Sequence, residues 1–97
     1  MHLEVAILTA KDGDSEGLVE AMRGGGCDAL ASAPGCHSVK VYPGVEQPGN
    51  VLFLVEWDSV EAHNNARTSE GFLKFYEIAS PWFDPDAGGS MQHFDIG

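Results

Sequence analysis

The residues of this chain with the most chemistry to offer are histidines 2, 37, 63 and 93 and tryptophans 57 and 82. His63 follows Val60 and Ala62 just after a strand that ends in Trp57, and His93 lies in a closing apolar stretch beside Phe94. An imidazole titrates near neutral pH and can act as acid, base or hydrogen-bond donor. His63 and His93 are therefore the candidate catalytic groups, against the plainer reading of half-buried rings bonded to backbone. The histidines form no H-x-H or H-E-x-x-H pair, so no metal site is expected. The aromatics gather in one half of the chain, and Phe72, Phe75, Tyr76 and Ala79 recur at the helical spacing of a packed stripe. Such a cluster can also wall a slot for a flat, apolar ligand, and Trp57, Phe53, Phe72, Tyr76 and Trp82 are assigned to that wall.

Other residue types speak for structure. Glu56, Asp58 and Glu61 surround a strand-to-helix junction, where Asp58 reads as an N-cap with Glu61 three residues on. A general acid or base needs a carboxyl in an apolar pocket, and no acidic residue is clearly placed in one by the sequence. Cys36 and His37, adjacent on an extended chain, point to opposite sides and make a weak nucleophile pair. Cys27 and Cys36 match neither a C-x-x-C pair nor a zinc spacing and read as small, reduced packing residues.

The elements that position these groups follow from periodicity. "HLEVAILTA" (2–10) reads as a strand, and Asp14 or Ser15 then caps a helix. Its face of Leu18, Met22, Gly25, Ala29, Leu30 and Ala33 stays in phase across "RGGG", which predicts one helix, kinked or straight, whose bare stretch lets another backbone approach. A phosphate-binding loop would require a lysine and a hydroxyl after the glycines, and neither is present. Strands follow at 37–43 and 51–57, a short helix at 59–66, a second helical segment capped by Thr68 or Ser69 and stopped at Pro81, and a last strand at 90–96.

The order β-α-β-β-α-β predicts an α+β, ferredoxin-like domain, an antiparallel four-stranded sheet with both helices on one face. Phe53, Val55 and Trp57 point to one side of the third strand, Leu52 and Leu54 to the other. A sheet apolar on both faces is best covered by a second copy of itself, so a homodimer is expected.

Size and charge narrow the function. The 97 residues fit one domain, and 43% hydrophobic content is that of a globular chain. Fifteen acidic residues against five basic ones leave a net charge of −10, a surface that repels nucleic acid and anionic membranes. No stretch approaches the ~20 apolar residues of a membrane span, and the N-terminus lacks the basic region of a signal peptide, so a cytoplasmic location is expected.

One composite pattern goes further: "LFLVEWDSVEAH", then Arg67, Ser69 and Phe72, then "PWF" and "MQHF". It resembles the antibiotic-biosynthesis-monooxygenase (ABM) domain family of dimeric α+β barrels. The resemblance implies a homodimer with a pocket in each subunit between sheet and helices. Some members oxygenate polycyclic aromatic phenols with no metal, flavin or haem cofactor, the deprotonated substrate itself passing an electron to O₂. In those members a tryptophan stands at the place of Trp57 and a polar aromatic at that of His63. They carry asparagine where this chain has Phe53, and an arginine where Lys74 or Glu77 lies nearby, so two anion-stabilising donors are missing. A haem-degrading branch uses a Trp and a His at positions held here by Ala66 and Tyr76. The implied activity is a cofactor-independent oxygenation of a small aromatic or enolisable molecule; the alternative is a non-catalytic homodimer of the same fold that binds a small molecule or serves as a scaffold.

Overall fold

The computed structural model describes residues 1–97 and contains four strands, β1 (His2–Thr9), β2 (Cys36–Pro43), β3 (Asn50–Trp57) and β4 (Gly89–Asp95). They form one sheet in the order β2-β3-β1-β4 with every neighbouring pair antiparallel. This is the ferredoxin-like arrangement expected from the element order, and the strand boundaries fall within one residue of those read from the sequence. The longest-range consequence is that β1 becomes central: Glu4 lies opposite Val55 of β3 on one side and His93 of β4 on the other.

The sheet's inner face carries Ala6, Val41, Val51, Phe53, Val55 and Trp57, all buried and joined to helical residues in one core. Ile7, Tyr42 and Phe94 lie on the opposite face and are exposed, while Leu52 and Leu54 are half-buried there. The period-two pattern along β3 thus places its two apolar sets as expected.

The first helical region is broken. α1 (Ser15–Ala21) runs into a wider π turn over Met22–Gly26, and α2 (Cys27–Ala31) follows. Asp14 is the cap, its Oδ1 accepting the Gly17 N–H at 2.9 Å. Leu18, Met22, Ala29, Leu30 and Ala33 are buried across the break, so the apolar phase survives the glycines. The bare stretch does lie against the later helix, where a Cβ added at Gly25 would stand 3.6 Å from Ile78 Cδ1, but the tightest backbone approach is at another glycine. A Cβ added at Gly24 would meet nothing within 4 Å, whereas one at Gly71 would come within 2.7 Å of the Ala29 carbonyl oxygen. The side-chain-free spot that lets two helices touch is therefore Gly71 in α4 (Glu70–Ala79), which rests on α2.

The helix after β3, α3 (Val60–Ala66), is capped by Ser59, whose Oγ accepts the Ala62 N–H at 3.0 Å. The expected cap, Asp58, is instead paired with His37. The reason is local: Ser59, not Asp58, has the extended backbone that precedes the first helical turn. His2 supplies a further cap from the neighbouring strand, its Nδ1 accepting the Val60 N–H at 2.9 Å. Ser69 caps α4 by accepting the Phe72 N–H. No helix is long and apolar enough to cross a membrane.

Candidate functional site

Between the inner face of the sheet and α3 and α4 lies a cavity of about 360 Å³. Phe53, Val55 and Trp57 of β3 form its floor, Phe72 and Phe75 of α4 one wall, and Phe83 another. Tyr76 also lines it and is 55% exposed, which sets it at the rim. The rings meet edge to face: Phe53 and Phe83 lie 6.3 Å apart at 66°, and Phe72 and Phe75 lie 5.4 Å apart at 73°. These are the favourable geometries for aromatic pairs.

Trp82, expected in the same wall, is not there. A 3₁₀ turn over Ser80–Trp82 directs it onto α1, where its ring would lie 2.4 Å from a Cβ at Gly17. Phe83, the next residue, pairs with Ala10 in an isolated bridge and enters the cavity instead. Only a glycine at position 17 leaves room for the indole, and the turn then fixes which of the two aromatics faces in.

The polar end of the cavity is built from three strands and a helix. Glu4 is buried, at 8% exposure, on the inner face of β1 in phase with Ala6. Trp57 Nε1 donates to Glu4 Oε1 at 3.0 Å. His63 Nε2 lies 3.5 Å from the same oxygen, and His63 Nδ1 lies 2.8 Å from His93 Nε2. The His63 ring stacks on Trp57 with centroids 4.7 Å apart and planes 10° from parallel. His63 and His93, 30 residues apart in sequence, therefore meet. His63 lines the cavity and His93 stands behind it. The other two histidines serve structure, His2 at the α3 cap and His37 with Asp58.

Charge states follow from burial. Desolvation raises the Glu4 carboxyl above its usual 4.5, against the lowering effects of the Trp57 hydrogen bond, His93 and Arg67. Burial lowers His63 from 6.5 to about 4, with the positive charges of Arg67 and His93 adding to the effect. The carboxylate beside His63 works the other way, and its own desolvation limits how far. His63 is thus a neutral imidazole at physiological pH. Cys36 is pushed up to about 11 by burial and by Glu4, which keeps it a protonated packing thiol.

Glu4, His63 and His93 bring their ligand atoms within 4.8 Å of one another, so histidines that look scattered in sequence converge in the fold. Their arrangement suits a hydrogen-bonded chain better than a cation. A metal would sit about 2.0–2.1 Å from each ligand nitrogen, along its lone pair. Here the 2.8 Å contact points His63 Nδ1 at His93 Nε2, and the other nitrogen of His63 faces Glu4.

Glu4 and Phe83 were absent from the residues assigned to the site by sequence. The available signal for Glu4 was a charge on the core-facing phase of a strand. Arg67, one residue past α3, lines the cavity as its one Lys or Arg side chain and forms no ion pair. Lys74 and Glu77 are exposed on the outer side of α4, away from the cavity.

Comparison with known proteins agrees with this architecture. The sequence model for "Antibiotic biosynthesis monooxygenase" matches residues 1–78, which include Glu4, Trp57, His63 and Arg67. A solved structure from Bordetella bronchiseptica, named for that family, superposes with a TM-score of 0.82 at 22% identity, covering 99% of this chain and 96% of its own. One from Nitrosomonas europaea gives 0.72 at 12% identity, covering 98% and 97%. Another from Chloroflexus aurantiacus gives 0.72 at 18%, covering 99% and 94%. Among curated proteins, none matches the chain. At these identities the structures establish a shared fold, and the matched family model, spanning most of the sequence, establishes kinship: the chain belongs to the antibiotic biosynthesis monooxygenase family.

Proposed function

We propose that the protein is a cofactor-independent monooxygenase acting on a small aromatic or enolisable metabolite held between sheet and helices. The observation that carries this reading is an apolar, aromatic-walled cavity with a single polar corner of Glu4, His63 and Arg67. The substrate gives up a proton to that corner, and its anion passes one electron to O₂. The radical pair joins through a C–O bond. Loss of water from the hydroperoxide then leaves a carbonyl, so that CH₂ and O₂ become C=O and H₂O. Phe53, with no hydrogen-bonding group, leaves the developing anion to Arg67, which is near enough to influence both Glu4 and His63.

Incubation with a hydroxyanthrone in air and under argon tests the reading. Oxygen uptake and a quinone whose new carbonyl carries labelled oxygen are expected in air, at a rate well above the protein-free background. Equal rates with and without protein overturn it. The carboxylate in the cavity favours one second reading, a proton-transfer isomerase. It would convert its substrate at the same rate in air and under argon.

The active form proposed is a homodimer whose sheets meet through the exposed face bearing Ile7, Tyr42 and Phe94. Light scattering on a sizing column is expected to give twice the 10.4 kDa mass of the chain. A single-chain mass at micromolar concentration would refute the pairing, and Leu54→Lys should produce that mass by placing a charge on the covered face.

A further inference from the structure

We infer that Glu4 is the group that takes the substrate's proton, and that His63 is a positioning residue rather than the base. The inference deepens the proposed function and rests on it for the identity of the substrate, but the geometry stands separately. A base needs a lone pair within reach of the substrate. His63 has none to spare: Nδ1 is committed to His93 at 2.8 Å, Nε2 faces Glu4 at 3.5 Å, and the ring lies flat on Trp57. Glu4 is placed differently. Trp57 and His63 both face Oε1, which leaves Oε2 without a side-chain hydrogen-bond partner. The carboxylate is the cavity's one acidic side chain, and its small residual exposure opens into that space.

The tautomers follow from this arrangement. A carboxylate accepts only, so His63 carries its proton on Nε2, toward Glu4. His63 Nδ1 then accepts from His93 Nε2–H. The Trp57 N–H holds one oxygen, with His63 Nε2 facing it at 3.5 Å, and the other oxygen is presented to the ligand. The substrate class is a weak carbon or phenolic acid whose proton Glu4 accepts during reaction and returns to the departing oxygen as water forms. The charged and titratable groups around Glu4 are His63 and Arg67 from the α3 side, His93 across β4, and Cys36 at the start of β2.

Two measurements on the intact protein test the assignment. Long-range ¹⁵N NMR of the histidines, with no substrate present, is expected to show His63 protonated on Nε2 and bare on Nδ1. A bare Nε2 would make the ring a competing acceptor and overturn the assignment. The second is exchange of the hydroxyanthrone methylene protons with D₂O under argon, which reads proton abstraction without oxygenation. Glu4→Gln is expected to slow exchange by about 10²–10⁴-fold, the usual contribution of a general base. His63→Phe is expected to retain exchange within a few-fold, since the carboxylate keeps its Trp57 donor and its place in the cavity. Exchange that survives Glu4→Gln but is lost in His63→Phe reverses the roles and refutes the inference. Exchange lost only in Glu4→Gln, with no oxygen uptake by the wild type, upholds Glu4 as the base and removes the oxygenase reading.

Discussion

Trp57→Ala is expected to cost about 3–5 kcal/mol of folding stability, the range for removing a large aromatic from a core. Trp57 has no exposed surface, and three separate interactions depend on it. It fills the end of β3 opposite Cys36 and His2, it backs the His63 ring, and its N–H satisfies Glu4 Oε1. Losing that donor adds the cost of a buried carboxylate with one partner fewer. Small domains have roughly 5–15 kcal/mol in total, and for a chain of this length each kcal/mol moves Tm by about 4–8 °C. A fall of roughly 15–30 °C in the far-UV dichroism melt is the expected result. Trp57→Phe separates the contributions: it keeps most of the volume and the stack but removes the N–H, and about 1–3 kcal/mol should be lost. An alanine variant that melts within a few degrees of wild type would show that neither the packing nor the Glu4 bond matters to the fold.

The same tryptophan marks how far the sequence could be read. Strand boundaries and helix starts were legible because they depend on neighbours within a few residues: alternation along "VLFLVEW", a serine before an apolar stripe, a proline that ends it. The inward direction of Phe53, Val55 and Trp57 followed from the same alternation. What brings Glu4, His63 and His93 together is sheet order, with β1 inserted between β3 and β4 so that Glu4 faces His93 across the ladder. No local pattern encodes that pairing. The one local sign of Glu4 was its charge in phase with Ala6, which went unread: such a residue is buried at a cost and is kept only where donors meet it. The misplacement of Trp82 had a different origin. Two consecutive aromatics in a loop carry no period, and the choice between Trp82 and Phe83 was made by a turn and by the space above Gly17.

Acid is expected to destabilise the protein in a window set by one buried histidine. His63 titrates at 6.5 in an unfolded chain and at about 4 in the fold. Between those values the unfolded state binds a proton that the folded state refuses, so stability falls as pH is lowered through the window. At 1.36 kcal/mol per pH unit, the span amounts to about 3 kcal/mol, fully lost near pH 4. Glu4 acts in the opposite sense. Its carboxyl is raised above 4.5, so the fold takes up that proton first, and acidification just above 4.5 returns part of the loss. Urea unfolding at several pH values between 7 and 4, compared for wild type and His63→Phe, isolates the term. The phenylalanine variant has no ring nitrogen to protonate, so its stability should change much less across the window, whatever its value at pH 7. Parallel curves for the two proteins would mean that His63 takes up its proton in the fold as readily as in water. The imidazole would then be a solvated group, and the dry corner that lets Glu4 act as a base would not exist.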